Sequence, residues 1–518
     1  MRSIATLWRA TTRLAQFATL AAVFASSAAA ARHPRYGGTL RVELRDTAVS
    51  LDPRAWRPGS LESAASEKIA ALVFDRLVSL DNYGRFQPQL AADWSHDATA
   101  KRWQFHLREG VKFTDGTLLA AADVIAALQP LLPAYLQASG VGSTLTLQSS
   151  VPVPDLLELL ASSRYFIYRQ ASGGALVGTG PFFVADSSSL PAAEARTTRY
   201  LLKANDACWA GRPFLDTIDV TLGLPALRRM LDLQLGKADL IEIAPELARR
   251  ATQENLRVWA SSPVITFGLR LDAAQPAAAN PRLREALSYS LDRATVATVL
   301  LQRQAEPAAA LLPQWLSGYA FLFDVDTNLE RAKELRSALP PALASGADPL
   351  RLRVDVPGDL PKLVAERVAV NARHAGLSVQ VLARPLQRES AAAPADSAPL
   401  HFFAWHTTSL SPRMEMDTLL KALAVPGDST TAGAPTDAAQ LFSREKRILD
   451  DRYVMPIAAL PEYSGLGAGV RNWLPSRWGE WHLADVWLEV PEAAASPSTP
   501  ASSVVPSQAA PAASGARP

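Results

Sequence analysis

The glycines of Gly173-Gly174-Ala175-Leu176-Val177-Gly178-Thr179-Gly180 invite a phosphate-cradling reading. Such a cradle needs a lysine to reach the phosphate, but Pro181 follows and no lysine does, so the run reads as a turn ahead of a strand. The seven histidines are scattered, and His33, His96 and His106 fall at no metal-ligand spacing. There is no Gly-x-Ser-x-Gly elbow, no His-Glu-x-x-His and no Gly-x-x-x-x-Gly-Lys-Ser/Thr. Cys208 is the only cysteine, which excludes an intrachain disulfide and a cysteine metal cluster, and beside Trp209 it reads as a small packed side chain. Chemistry that changes a substrate is therefore not expected, and neither is a cofactor. What remains is recognition by shape, for which tryptophan supplies flat apolar area and arginine a two-pronged grip on a carboxylate.

The elements that would position such residues alternate between two periods. Strand-like alternation recurs at 39–44, 218–222, 264–271, 350–356 and 377–382, and helical spacing at 283–291, 295–302, 329–338 and 360–375. Strands alternating with helices predict an α/β body, its sheets covered by helices. Around Trp103 the pattern is dense. Trp103, Phe105 and Leu107 alternate with Gln104, His106 and Arg108; Glu109-Gly110 turns the chain; Val111 and Phe113 begin a second strand; Asp115-Gly116 turns again; and a helix starts after Ala120.

This order, from Trp103 to Val124, resembles the signature of the extracytoplasmic solute-binding proteins of family 5, the peptide, nickel and oligosaccharide receptors of bacterial ABC importers. The resemblance extends in order through Gly37 to Val42, Leu51-Asp52-Pro53, Phe74 to Gly84, Pro88 to Trp94, Gly178 to Phe182, Phe214 to Ile218, Gly236 to Leu240 and Asn280 to Arg293. It thins after about residue 300, although Tyr453 to Ile457 and Val470 to Trp487 still look like the family's return to its first lobe. Ala120 stands where the family often has a capping Thr or Ser, a loss worth about 1 kcal/mol.

The resemblance implies a two-lobed periplasmic-binding-protein fold with a discontinuous first lobe and a hinge. Lobe 1 would hold residues 31–265 and 465–490, lobe 2 residues 266–464, and two crossing strands near 266–271 and 457–463 would form the hinge. It also implies a function, capture of peptides or peptide-like solutes for an inner-membrane permease, by a monomer. The alternative is a diverged scaffold acting through protein contacts without transport. Trp405, ending the apolar segment from Leu400, looks like the family's cleft tryptophan, with ordinary core packing as the competing reading. Thr408 occupies the place where peptide-binding members carry an aspartate for the ligand's α-ammonium group, and a threonine cannot neutralise that charge. Arg413 and Asp417 are candidates for a rearranged anchor, His406 for a contact or a solvent-facing loop residue, and Arg270 and Trp56 for the facing walls.

Arg2, Arg9 and Arg13 precede an apolar stretch, 14–24, and Ala28-Ala29-Ala30, which reads as a signal peptide over residues 1–30. No cysteine at the cleavage site offers a lipid anchor, so a soluble periplasmic protein is expected. Its loss takes the formal charge from +2 to −1, three positive charges fewer, which gives no reason to invoke nucleic acid or anionic membranes. Residues 491–518 are nearly all Pro, Ala and Ser and should form a disordered tail. The stretches 391–398 and 427–435 read as surface loops.

Overall fold

In a computed structural model of the protein, residues 33–81, 83–191, 196–344, 348–383, 398–426 and 437–489 are described. The expected leader and tail lie outside these residues, as do nearly all of the two low-complexity stretches.

The alternation seen in sequence builds one large sheet of 11 strands. Thr39–Leu44 pairs in parallel with Thr217–Leu222, from Thr39 opposite Thr217 to Leu44 opposite Leu222, and Leu40, Val42, Ile218 and Val220 point into the core. Leu240–Ile243 lies on the other side of Thr39–Leu44. Beyond it come two long antiparallel strands, Val454–Leu466 and Arg257–Leu271, then Leu400–His406, Leu350–Val354 and Val379–Ala383. Phe182–Pro191 and Arg196–Ala204 close the opposite edge.

The long pair carries the sheet from one hydrophobic core to another. One core gathers Leu40, Ile69, Phe105, Leu147 and Phe166; the second gathers Leu269, Leu287, Leu352, Val364 and Ile457. Between them the ladder is irregular, with register shifts between Ala260 and Pro263, Pro263 and Ile265, and Phe267 and Gly268. Pro263 faces Pro461 there. Neither has an N–H to donate, so the cross-strand bonding is interrupted at that point.

Local chemistry explains most boundaries. Asn280 caps helix Pro281–Ser290 by accepting from the Arg282 and Leu283 N–H groups, with proline at the first turn. Helix Ala121–Leu128 has no acceptor side chain at Ala120, but Asp123 accepts the Ala120 N–H at 2.9 Å, so the reciprocal half of a capping box survives. Gly178 and Gly180 belong to no cradle; a Cβ at either would lie within 3 Å of Val73 backbone atoms, so glycine permits that close approach.

Two expectations are corrected. Arg102–Leu107 is a strand in a four-stranded sheet, with Ala91–His96, Thr144–Ser149 and Leu136–Val141, but Val111 and Phe113 begin no second one. Phe113 donates to Thr117 O at 2.8 Å and accepts from Gly116 N, so its backbone closes a tight turn. The helix expected at 295–302 divides into a single turn, Arg293–Thr295, and a wider π turn, Val296–Leu300, where Leu301 N–H reaches Val296 O.

Candidate functional site

A cleft of about 860 Å3 opens beside the long strands. Its lining comes from parts of residues 45–66 and 223–246, from residues 357–361, and from residues 265, 267 and 460–463 of the long strands. Phe267, Leu360, Pro361 and Pro461 give apolar area, and Trp56 joins them with its ring nitrogen already donating to Ser50 O at 2.7 Å. The wall also carries charge. Arg45 Nε lies 3.5 Å from Asp46 and 3.8 Å from Glu242, and the Arg45 N–H donates to Glu242 at 3.0 Å. Burial holds the Asp46 carboxyl up at about 6 despite Arg45, with Glu242 adding to the shift.

A second cavity, of about 70 Å3, lies next to the first and shares Ala64 and Glu462 with it. It is lined by an unusual density of buried charge. Lys68 from helix Ala64–Val73 pairs with Glu462 at 2.8 Å, His406 approaches the same carboxylate at 3.4 Å, and Glu67 accepts the Ser163 hydroxyl at 2.5 Å. Arg76 pairs with Glu480 at the far wall. Burial opposes ionisation of Glu462, but Lys68 and His406 outweigh it and hold the carboxyl far below the usual range. Burial would depress His406, yet Glu462 and Glu67 raise it.

Of the six residues singled out from sequence, Trp56 lines the large cleft, while His406 and Thr408 line the small cavity. The other three line neither. Trp405 is buried among Leu311, Met416 and Leu419, with its ring over Gly59 and its indole N–H given to Glu415 at 2.6 Å. Arg413 is buried against Asp155 and Asp417. Arg270 pairs across the sheet with His401 and Val454, toward the end of its strand away from the cleft.

Residues that sequence reasoning passed over do much of the positioning. Glu415 accepts from Trp405 Nε1, from Thr408 N–H at 3.0 Å and hydroxyl at 2.8 Å, and from Ser409 N–H at 2.8 Å. Burial raises its carboxyl against these four donors. A carboxylate does sit beside Thr408, but its oxygens are engaged. His406 N–H donates to Gly59 O and Thr407 N–H to Val264 O, both at 2.8 Å, so this segment is tied to the Gly59 loop and to the strand Arg257–Leu271. Glu415 and Asp155 carried no spacing signal, since their partners are set by folding over long separations or by burial.

The arrangement can enclose and orient a solute, and among the described residues no group of three or more His, Cys, Asp or Glu could hold a metal ion. No described helix is long and apolar enough to cross a membrane. The chain is 23% identical over 480 residues to the peptide transport periplasmic protein SapA of Salmonella typhimurium, covering 81% of this chain and 84% of that one. Its fold matches the periplasmic binding protein DppA from Helicobacter pylori, in complex with the peptide STSA, with TM-score 0.71 at 18% identity, covering 88% and 99% of the two chains. It also matches NikA from Brucella suis, in complex with Fe(III)-EDTA, with TM-score 0.70 at 19% identity, covering 87% and 100%. The family model described as bacterial extracellular solute-binding proteins, family 5 Middle, matches residues 85–425, and the chain belongs to that family.

Proposed function

We propose that this chain is the solute-capturing subunit of an ABC importer, exported to the periplasm as a monomer, where it takes up a peptide or peptide-like solute and delivers it to an inner-membrane permease. The observation that carries this reading is the cleft of about 860 Å3. Its size lies within the range of small-ligand sites, roughly 300–1,000 Å3, and its lining combines apolar area with a few fixed charges. Lobe 1 is assigned residues 31–265 and 465–490, and lobe 2 residues 266–464. Two lobes joined by a pair of strands can close over a solute and present one closed shape to a permease.

Peptides are favoured by the relatives, since SapA is named for peptide transport and DppA was solved with a peptide. The engaged oxygens of Glu415 favour solutes held without a free α-ammonium group at Thr408, such as modified or cyclic peptides or small saccharides. Trp56 is assigned to the cleft wall, with His406 and Thr408 at the adjoining cavity. Native mass spectrometry of protein taken from its own periplasm tests the reading. A bound mass that is released on unfolding is expected; consistently bare protein that also takes up no solute from a periplasmic extract overturns it.

A further inference from the structure

We propose that the cleft takes a cationic solute and that Asp46 is the carboxylate that pairs with its ammonium or guanidinium group. This rests on the solute-capture reading and names the chemistry that the cleft selects. Asp46 follows the strand Thr39–Leu44 and lines the cleft with its side chain only 12% exposed. Its one neutral partner is the Ala65 N–H, donating to Oδ2 at 3.3 Å.

The charges facing Asp46 do not balance it. Arg45 is shared with Glu242, from the neighbouring strand Leu240–Ile243. Arg229, from helix Ala226–Gln234, gives its N–H groups to Glu242 O at 2.9 Å and Leu224 O at 2.5 Å. Lys68, from helix Ala64–Val73, is held by Glu462 of the long strand Val454–Leu466 at 2.8 Å. Around the whole cleft, six carboxylates, Asp46, Glu62, Glu242, Glu246, Asp359 and Glu462, face three arginines, Arg45, Arg57 and Arg229.

A carboxylate in a partly dry wall with half a counterion is costly to ionise, and a solute cation supplies the missing half. The Asp46 carboxyl, held at about 6, agrees with this geometry: a cation arriving beside it drives the proton off. Binding and proton release are then linked.

The probes are two end-blocked peptides, acetyl-Gly-Ala-Lys-Ala-Gly-amide and the same sequence with Nε-acetyl-lysine, titrated calorimetrically into the full exported protein. At about pH 7.5 the lysine peptide should bind roughly tenfold tighter or more, the scale of a charge-assisted hydrogen bond. Its affinity should fall about tenfold at about pH 5, with proton release detected between buffers of different ionisation enthalpy, while the acetylated peptide stays flat. Asp46→Asn keeps the acceptor for the Ala65 N–H and should bring the two peptides together. Equal binding to the wild-type protein, or a lysine preference that survives in Asp46→Asn of unchanged melting temperature, overturns the cation site and leaves solute capture standing. Binding of neither peptide also overturns it, and the native mass spectrum then decides whether solute capture survives.

Discussion

Arg413 grips Asp155 with two bonds, Nε to Oδ2 at 3.1 Å and Nη2 to Oδ1 at 2.8 Å, joining segments 258 residues apart in sequence. Asp155 also accepts the Ser411 hydroxyl at 2.6 Å, and Arg413 reaches Asp417 at 3.6 Å. Arg413→Ala leaves the Asp155 carboxylate buried without its cation. A loss of about 3–5 kcal/mol is expected, read from urea unfolding. A loss below about 1 kcal/mol would mean that the pair is wet in solution.

Gly59 adopts φ +72°, and a Cβ placed there would sit 2.1 Å from Trp405 Cε3. Gly59→Ala should cost about 2–4 kcal/mol, combining left-handed strain with overpacking. The same change should shift the Trp405 contribution to fluorescence, because the ring can no longer rest on the backbone. An unaltered spectrum and melting temperature would contradict the packing.

Trp405→Phe keeps the apolar bulk and removes the donor to Glu415. The carboxylate retains three donors, so a cost of about 1–3 kcal/mol is expected, and Glu415→Gln in the same background should recover part of it. A double-mutant cycle gives the coupling directly.

Stability should also depend on pH through Glu43 and Glu445. Burial pushes Glu43 up to about 7, with Asp232 adding to the shift, and Glu43 Oε2 and Asp232 Oδ1 are both buried without a hydrogen-bond partner. Burial likewise pushes Glu445 up to about 7, although Tyr319 and the Leu311 and Leu312 N–H groups donate to it. Both folded values lie above the ordinary 4.5, so the native state holds these protons more tightly than the unfolded chain. Their stabilisation is complete below about pH 4.5 and is lost as pH rises through about 7, by up to about 3 kcal/mol per group. Glu43→Gln should flatten its share of that fall in chemical denaturation measured across this window.

Much of the scaffold was legible because periodicity reports burial directly. Apolar spacing places Thr39–Leu44 to the residue and the helix starting at Asp359 to within a residue, because spacing and the buried faces of these elements coincide. Val111 and Phe113 misled because two alternating apolar residues cannot distinguish a strand from a turn whose side chains are both buried. The site was harder to read. Trp405 and Thr408 stood out as positions, yet what engages them, Glu415, is fixed by a helix start and by burial that spacing does not encode. Asp46 and Lys68 carry no spacing signal in the sequence, and only the sheet and helix bring them to adjoining cavities.

The facing pair Pro263 and Pro461 has a mechanical consequence. Bending the molecule at that point tears no backbone bond across the pair, because the prolines offer none to tear. Resistance to bending there comes from the flanking ladder and from side chains. Stiffness is set in part by side-chain clasps, Lys68 on Glu462 and Arg413 on Asp155, and single substitutions there would change the restoring force.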